Sequence, residues 1–346
     1  KGTRSDPKPR ASPSRSLVGD SISLFFPERS EPLRLPETLD NESHNTAAVL
    51  KYAALGMICV MAFCIRLFAV VRWESVIHEY DPWFNYRSTK FLAAEGPYDF
   101  LNWFDDRSWY PLGRIVGGTI YPGLMATAAF MHWALNAFNI SVNVRNMCVF
   151  TAPIFAANTA IAVYLLTKEV TRRASTGLLA AAFVAIVPSY ISRSVGGSYD
   201  NEGVAIFALM FTFFLWLRAL NTGSLMWAAL CSLSYFYMVA AWGGYVFIIN
   251  IIPIHVLALI VARRYSGRLY VAYSTFYVLG SLLAMQIPFV GFNVIMQAEC
   301  AASHGVFAVL QVYAFVNWLR QRIGARSLQW LLRGLLVAAA GLVAGG

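Results

Sequence analysis

The sequence predicts an all-α fold, a polytopic transmembrane bundle of about nine helices. Only 13% of the residues are charged, and the mean hydropathy is +0.54. Apolar runs recur at lengths near the ~20 residues that a helix needs to cross ~30 Å of hydrocarbon. The formal charge of +9 is concentrated in the first 34 residues and in short loops between runs, a positive-inside pattern that argues against nucleic-acid binding.

The chain begins with a polar segment. Residues 1–46 are rich in Pro, Ser and charges of both signs and contain few aliphatic residues, so they cannot bury enough apolar surface to fold alone. We expect a disordered cytosolic tail there and a membrane bundle over 47–346. The first apolar run, Ala47 to Val71, is long enough to remain as a span, which argues against a cleaved signal peptide.

Charge bias between the later apolar runs sets the topology. Basic residues follow several of them: Lys168, Arg172 and Arg173; Arg218; Arg263, Arg264 and Arg268; Arg320, Arg322 and Arg326. If the run over 120–138 crossed the bilayer, all four loops would lie on the non-cytosolic side, against the positive-inside rule. The apolar runs that follow the first span are 120–138, 144–167, 175–192, 203–219, 224–241, 244–262, 269–289, 304–319 and 328–346.

The 120–138 run is therefore expected to lie in the interface or to re-enter the membrane. Pro122 begins this run, and His132, Trp133 and Asn136 interrupt it, as in an interfacial helix. Residues 72–143 then form one long lumenal loop, which contains the sequon Asn139-Ile140-Ser141. This topology places both acidic segments of the chain on the same side of the membrane.

The first acidic segment is Glu79-Tyr80-Asp81, directly after the first span. Carboxylates are costly beside hydrocarbon, so their presence there indicates function. In an extended backbone two acids spaced i and i+2 point to the same side and can share one cation. Pro82 is expected to keep Asp81 extended and to end any helix there. The alternative is an aromatic belt at the interface with incidental acids.

The second acidic segment is Asp200-Asn201-Glu202, within a short loop of about 193–203. Gly196 and Gly197 precede it and permit the close backbone approach that a metal or phosphate loop needs. Arg193 is placed to pair with an anionic ligand. The alternative is that Asp200 caps the following helix, which explains one acid better than two acids and an arginine.

Other polar residues in the apolar runs give weaker signals. We expect Arg66 and Arg72 to snorkel or to form ion pairs rather than to catalyse. His255 and Gln286 are interpreted as hydrogen-bonded residues of the bundle. The segment 241–245 is interpreted as a tight turn between spans at an interface.

Five segments together resemble the catalytic subunit of oligosaccharyltransferase, in its eukaryotic form. They occur in the order expected for that family and extend from about Leu50 to the last residue. The matching segments are His78-Glu79-Tyr80-Asp81-Pro82-Trp83-Phe84-Asn85-Tyr86-Arg87, Ile191-Ser192-Arg193-Ser194-Val195, Tyr199-Asp200-Asn201-Glu202-Gly203, Ser234-Tyr235-Phe236-Tyr237-Met238 with Ala241-Trp242-Gly243-Gly244-Tyr245, and Gln286-Ile287-Pro288-Phe289-Val290-Gly291-Phe292.

The resemblance implies a bundle of the type that uses polyprenyl-linked sugar donors in the endoplasmic reticulum membrane, with a lumenal active site. The reaction implied is transfer of an oligosaccharide from dolichyl pyrophosphate to the Asn side chain of an Asn-x-Ser/Thr sequon. Asp81 would bind Mn²⁺ or Mg²⁺ and orient the acceptor carboxamide. Asp200 and Glu202 would complete the metal ligands, Arg193 would support catalysis, and Glu79 would tune the site. Hard oxygen donors suit these ions, and accessory subunits are expected partners.

Two elements of that family are missing from the sequence. They are a Ser-Val-Ser-Glu loop that supplies a further acid and the Trp-Trp-Asp-Tyr-Gly motif of a C-terminal lumenal domain that recognises the sequon. We therefore expect residues 1–346 to be the N-terminal portion of a longer polypeptide. Three rival functions are considered: another glycosyltransferase that uses polyprenyl-phosphate sugars, a transporter, for which no repeat of broken spans is seen, and a non-catalytic scaffold.

Overall fold

A computed structural model describes residues 37–323, with side chains from residue 46 onward. Residue contacts divide the chain into a unit that ends at Val49 and a second unit that begins at Leu50. In the first unit the structure describes part of one helix, and the second contains every element of the site discussed below. The expected last span over 328–346, Arg326 and residues 1–36 of the expected tail lie outside the described residues.

The described chain is almost entirely helical. The elements are α1 (Glu37–Ile65), α2 (Phe68–Trp73), α3 (Tyr80–Glu95), α4 (Pro97–Asn102), β1 (Phe104–Asp105), β2 (Arg114–Ile115), α5 (Gly123–Ala137), α6 (Val144–Thr171), α7 (Ala174–Ile186), α8 (Pro188–Ser192), α9 (Glu202–Thr222), α10 (Leu225–Ala241), α11 (Tyr245–Val261), α12 (Gly267–Ala284), α13 (Asn293–Met296), a 3₁₀ turn (Ala298–Cys300) and α14 (Ala301–Arg322).

Every apolar run that falls within the described residues contains a helix, as the sequence predicts. Helix α1 includes residues 37–46, which the sequence analysis assigned to the tail. Four described helical segments are long and apolar enough to cross a membrane: Thr46–Trp73, Val144–Thr171, Glu202–Thr222 and Ala298–Arg322. Helices α7, α10 and α11 are apolar but shorter, so the helices agree with a membrane bundle without fixing the number of spans.

Helix ends follow local sequence signals. Helix α9 ends at Gly223, whose φ of 69° is a left-handed conformation that glycine adopts without strain. Pro188 begins the short helix α8 after an extended Val187, as expected for the residue before a proline. Helix α10 ends at Ala241 and α11 begins at Tyr245, which confirms a tight turn between them.

The long loop after the first span is ordered and mostly helical. It contains α3 to α5 and a small antiparallel pair of strands in which Phe104 lies opposite Ile115 and Asp105 opposite Arg114. Pro122 caps the start of α5, as the sequence predicts for that helix. Helix α3 packs against α5 and α6, and this contact joins the loop to the bundle.

The centre of the bundle consists of α6, α9, α10 and α12. Helix α9 packs against the other three, and small side chains such as Ala205, Ala208 and Ala219 are fully buried along it. Small residues allow helices to approach closely, which is the usual way to gain packing energy in lipid. The acidic end of α9 is thereby held in a rigid part of the molecule.

Candidate active site

The first acidic segment lies at the start of a helix rather than in an extended strand. Helix α3 begins at Tyr80, so Asp81 is in its first turn and Pro82 is buried behind it. The expectation that Pro82 keeps Asp81 extended is wrong, because proline is tolerated in a first helical turn, where backbone N–H groups have no intrahelical acceptor. The same free N–H groups and the helix dipole favour a carboxylate at Asp81.

Glu79 precedes this helix in a left-handed conformation, with φ of 69°. Such a conformation is uncommon for a residue other than glycine and costs about 1 kcal/mol or more. It turns the chain sharply before α3, so Glu79 and Asp81 do not share one side of an extended strand. Asp81 lines the cavity described below, whereas Glu79 does not.

The second acidic segment also leads into a helix. Asn201 is the N-cap residue of α9 and has helical dihedral angles, and Glu202 is the first helical residue. The Oδ1 atom of Asp200 accepts a hydrogen bond from the backbone N–H of Asn201 at 2.7 Å. The extended acid-x-acid geometry is therefore wrong for this segment too. The cap alternative agrees with the structure, because a helix begins here and the Asp200 carboxylate accepts a backbone N–H at its start, whereas the Asn201 side chain makes no cap bond.

Backbone and side-chain hydrogen bonds join the two acidic segments through their flanking residues. The N–H of His78 donates to the carbonyl of Gly197 at 3.0 Å. The Nδ2 atom of Asn85 donates to the carbonyl of Tyr199 at 3.1 Å, and the Tyr199 hydroxyl lies 2.8 Å from Oγ1 of Thr89 on α3. Each bond links a neighbour of Asp81 to a neighbour of Asp200, so the fold brings the two segments together.

The two glycines before Asp200 make this contact possible. Gly197 has φ of 98°, and a Cβ atom there would lie 2.3 Å from the carbonyl oxygen of Val76. A Cβ atom on Gly196 would lie 2.8 Å from Val70. The predicted close approach is confirmed, and the groups that approach are the first span at Gly196 and the first loop at Gly197.

Arg66 supports the second loop from the end of the first span. Its side chain is fully buried; Nε donates to Oγ of Ser194 at 2.6 Å and Nη1 donates to the carbonyls of Ala62 and Ala185. Its guanidinium lies 4.7 Å from the ring centre of Tyr190. The expectation that Arg66 snorkels or forms an ion pair is wrong, because backbone carbonyls, a hydroxyl and an aromatic face hold its side chain inside the protein instead, although Nη2 has no hydrogen-bond partner.

Weaker sequence signals have simple structural explanations. The Nε1 atom of Trp216 donates to Nδ1 of His255 at 3.1 Å, which confirms His255 as a hydrogen-bonded bundle residue. Gln286 donates to the carbonyl of Leu282 at 3.2 Å. Arg72 lies over the ring of Trp73, at 4.9 Å.

One cavity contains acids from both segments. A cavity of about 230 Å³ is bordered by Asp81 and Asp200 together with Asn85, Asn201 and Arg114. A second cavity, of about 550 Å³, lies beside it and shares Asp81, Phe84 and Arg114 with the first. We call the smaller one the acid cavity and the larger one the outer cavity.

Charges of the two segments also act on one another around Glu202. Its Oε2 atom lies 3.4 Å from Nη1 of Arg193, and its carboxylate interacts electrostatically with Asp200 and with Glu79 of the first segment. Three carboxylates and one paired arginine are thus close enough to influence each other. Carboxylates that lie this close to one another are stabilised by a cation or by a bound proton.

The donor atoms agree in kind with a hard divalent cation. Oδ1 of Asn201, next to Asp200, is buried and accepts no hydrogen bond, and Oε2 of Glu202 is buried with only the 3.4 Å ion-pair contact to Arg193. Such unsatisfied acceptors are costly unless another group, such as a cation, completes them. Within residues 46–323, however, no three His, Cys, Asp or Glu side chains are gathered closely enough to form a complete metal cluster.

The strand pair in the first loop fixes two arginines near the cavities. Arg87 and Asp105 form a bidentate pair, with Nε to Oδ2 at 2.7 Å and Nη2 to Oδ1 at 2.8 Å. The hydrogen bonds from Arg87 and Ser108 hold the pKa of the buried Asp105 carboxyl well below its usual range. Arg114 donates instead to Oγ1 and the carbonyl oxygen of Thr119.

Sequence reasoning missed Asn85, Tyr199 and Arg114, which border the acid cavity or connect its two sides. Asn85 and Tyr199 stand inside the quoted motifs, and their spacing from the acids was a usable signal. Arg114 lies in the sequence Leu112-Gly113-Arg114, 33 positions after Asp81. Only the pairing of β2 with β1 brings it to the site, and no local pattern announces that pairing.

Comparisons with known proteins agree with the motifs. Residues 49–344 match the family model "Oligosaccharyl transferase STT3, N-terminal". The chain is 58% identical over 294 residues to the dolichyl-diphosphooligosaccharide–protein glycosyltransferase subunit STT3 of Dictyostelium discoideum, covering 85% of this chain and 41% of that protein. It is 57% identical over 286 residues to subunit stt-3 of Caenorhabditis elegans, covering 83% and 38%.

A solved structure shows the same fold at low identity. The archaeal oligosaccharyltransferase AglB from Archaeoglobus fulgidus, in complex with an inhibitory peptide and a dolichol-phosphate, superposes with a TM-score of 0.65 at 18% identity. The alignment covers 85% of this chain and 37% of that one. The chain thus spans about two fifths of the length of the curated relatives named above.

Proposed function

Because the chain belongs to the oligosaccharyl transferase STT3 family, we propose that it contributes the membrane part of an enzyme that N-glycosylates proteins. The donor is an oligosaccharide on dolichyl pyrophosphate, and the acceptor is the Asn side chain of an Asn-x-Ser/Thr sequon. In the reaction the acceptor nitrogen bonds to the anomeric carbon of the first sugar. The bond from that carbon to the pyrophosphate oxygen breaks, and the nitrogen releases one proton.

The observation that carries this proposal is the acid cavity. It is bordered by Asp81 from α3 and Asp200 from the loop before α9, two residues separated by more than a hundred positions. Within it Asp81, which is exposed at the start of a helix, would accept hydrogen bonds from the acceptor carboxamide and orient it. Proximity and orientation of this kind supply a large part of the rate enhancement in two-substrate reactions.

Asp81 and Asp200, which border the acid cavity, would hold Mn²⁺ or Mg²⁺ together with Glu202, which lies beside the cavity without bordering it. The buried oxygen of Asn201 that accepts no hydrogen bond supports a cation there. When bound, such an ion neutralises negative charge on the departing pyrophosphate. Arg193, which faces Glu202 at 3.4 Å, would hold that carboxylate in place. Glu79 would tune the site through charge, since it interacts electrostatically with Glu202.

The proposal includes a location and a topology. The bilayer surrounds about nine spans, the site faces the lumen of the endoplasmic reticulum, and α5 lies in the interface. Helix α6 supports this arrangement: Val149 near its start accepts a hydrogen bond from the N–H of Gly197 beside the site, while Lys168 stands in its last turn. Accessory subunits are proposed partners by analogy with the relatives, two of which are named as subunits.

The proposal is tested with the full-length protein in a peptide glycosylation assay. Asp81→Asn removes one charge with almost no change in shape, and we expect turnover to fall at least ~10²-fold. Asp99→Asn is a matched control, because Asp99 is an exposed acid in the same loop and does not border the acid cavity. Unchanged transfer by Asp81→Asn would contradict the proposal.

A second candidate is another glycosyltransferase that uses polyprenyl-phosphate sugars. The acidic first loop favours this class, but the hydrogen bonds from the first loop to Gly197 and Tyr199 join it to a second acidic segment that this class is not expected to have. The two functions are separated by the acceptor. A peptide whose sequon Asn is replaced by Gln should receive no sugar if N-glycosylation is correct.

A further inference from the structure

We propose that Arg114 binds the phosphate groups of the sugar donor and so is a further residue of the active site. This inference rests on the proposed function, because the donor's leaving group is taken to be a pyrophosphate. Arg114 borders both the acid cavity and the outer cavity. Among the described residues that border the acid cavity, it is the single cation.

The carboxylate nearest to Arg114 in the strand pairing is already occupied. Asp105 lies opposite Arg114 across β1 and β2, yet both of its oxygens are hydrogen-bonded to Arg87. Arg193 is likewise paired, with Glu202. Within the part of the chain that the structure describes, Arg114 therefore carries a positive charge in the acid cavity without a carboxylate partner.

The guanidinium of Arg114 is held in a defined position. Its Nε and Nη2 atoms donate to Thr119 at 2.8 Å each. Its central carbon lies 5.1 Å from the ring centre of Phe84 and 4.3 Å from that of Trp109. Such stacking limits the rotamers of a long side chain and so reduces the entropy lost when a ligand binds.

One nitrogen of this fixed group remains for a ligand. Nη1 makes no hydrogen bond to a described residue. It is also not buried, so a ligand can reach it. A guanidinium presents N–H groups in a planar fork that matches phosphate oxygens. The acceptor carboxamide is uncharged, so the charge of Arg114 complements the donor better than the acceptor.

The test measures the KM for donor and for acceptor separately in the full-length protein. Arg114→Gln should raise the donor KM roughly 10- to 100-fold, the scale of one hydrogen bond to a charged group, and leave the acceptor KM unchanged. Lys90→Gln is the matched control, since Lys90 is a cation of the same loop that borders only the outer cavity. If Arg114→Gln does not fold, Arg114→Lys serves instead, with a smaller rise in the donor KM expected because charge is kept and the fork is lost.

A binding titration separates this inference from the proposed function. Inorganic pyrophosphate with Mn²⁺ is titrated into the wild type and Arg114→Gln by calorimetry, which needs no turnover. At least tenfold weaker binding by Arg114→Gln supports the inference, even if the wild type transfers no oligosaccharide and the proposed function fails. Equal pyrophosphate affinity, or a rise in the acceptor KM in place of the donor KM, would overturn it.

Discussion

At the scale of single residues, carboxylates of similar appearance in the sequence have different surroundings in the structure. Asp81 borders the acid cavity, Glu79 stands outside it in a left-handed turn, and Asp105 is buried in an arginine pair. The roles proposed for them differ accordingly: Asp81 as a ligand-binding acid, Glu79 as an acid that acts through charge, and Asp105 as a structural acid. Substitutions at these three positions are expected to have distinguishable effects.

The acids of the first segment should differ in their effect on turnover. Asp81→Ala should reduce turnover at least ~10²-fold, because a well-placed electrostatic group at the reacting atoms is lost. Glu79→Gln should cost much less, and Arg193→Ala should be intermediate. Steady-state glycosylation rates of purified full-length variants measure this order. If Glu79→Gln reduces turnover as much as Asp81→Ala does, and Asp200→Ala leaves turnover unchanged, the metal ligands are assigned wrongly.

Asp105 should make stability depend on acidity. Because Arg87 and Ser108 keep the pKa of Asp105 lowered in the folded state, its stabilisation is fully present above the unfolded pKa near ~4. That stabilisation is lost as the pH falls through the folded value. Asp105→Asn should lower the free energy of unfolding at pH 7 by roughly 2 kcal/mol, a moderate figure because Arg87 is 42% exposed.

The measurement is the Tm of the protein in detergent between pH 7 and pH 3. The wild-type Tm should fall more steeply below about pH 4 than that of Asp105→Asn. Asp99→Asn, at an exposed acid, should follow the wild-type curve. Parallel curves for the wild type and Asp105→Asn would contradict this role for Asp105.

At the scale of elements, the site depends on contact between the first loop and the loop before α9. His78, Asn85 and Thr89 contribute the hydrogen bonds from one side, and Gly197 and Tyr199 from the other. This contact was only partly predictable. The glycines correctly indicated a close approach of the backbone. The extended geometry predicted for both acidic segments was wrong, because helices begin at Tyr80 and Glu202. The free N–H groups at a helix start favour carboxylates, and Pro82 is tolerated there.

Gly197→Ala should separate the two loops. The new Cβ atom would lie 2.3 Å from the carbonyl oxygen of Val76, in a backbone with φ of 98°, and the left-handed conformation alone costs about 1 kcal/mol or more. We expect a lower Tm and at least ~10-fold slower transfer, because Asp200 is displaced relative to Asp81. Gly118→Ala is the control, since its nearest neighbour is an Ile115 methyl group at 4.0 Å. Wild-type behaviour of Gly197→Ala would show that this contact does not position the acids.

At the scale of the whole molecule, the sequence predicted the class of fold, the helical runs and the family. Hydropathy identified the helices that lie in the apolar runs, because lipid exposure constrains composition along a whole span, but it did not identify α3 and α4 of the first loop. It did not fix the number of spans, because α7, α10 and α11 are short. The pairing of β2 with β1, which brings Arg114 to the cavity, could not be predicted because each strand has only 2 residues, too few to show an alternating pattern.

The topology predicts that the two ends of α6 lie on opposite sides of the membrane. With 28 residues at 1.5 Å each, this helix is about 42 Å long, enough to cross the hydrocarbon. Exposed serines lie beyond each end, so Ser141→Cys should be labelled from the lumenal side of sealed vesicles and Ser175→Cys from the cytosolic side. The parent protein, whose Cys64 is exposed, provides the background. Cytosolic labelling of Ser141→Cys would contradict the proposed topology and the shared lumenal site.

The central claim is that Asp81 and Asp200 form one site that works with a divalent ion. The most direct measurement is the rate of peptide glycosylation by the full-length protein as a function of free Mn²⁺, after removal of metal with a chelator. We predict no transfer in excess chelator, recovery with Mn²⁺ or Mg²⁺, and at least ~10-fold more Mn²⁺ for half-maximal activity in Asp200→Asn, because one ligand is weakened. Full wild-type activity in excess chelator, with no tightly bound ion in the protein, would contradict the account.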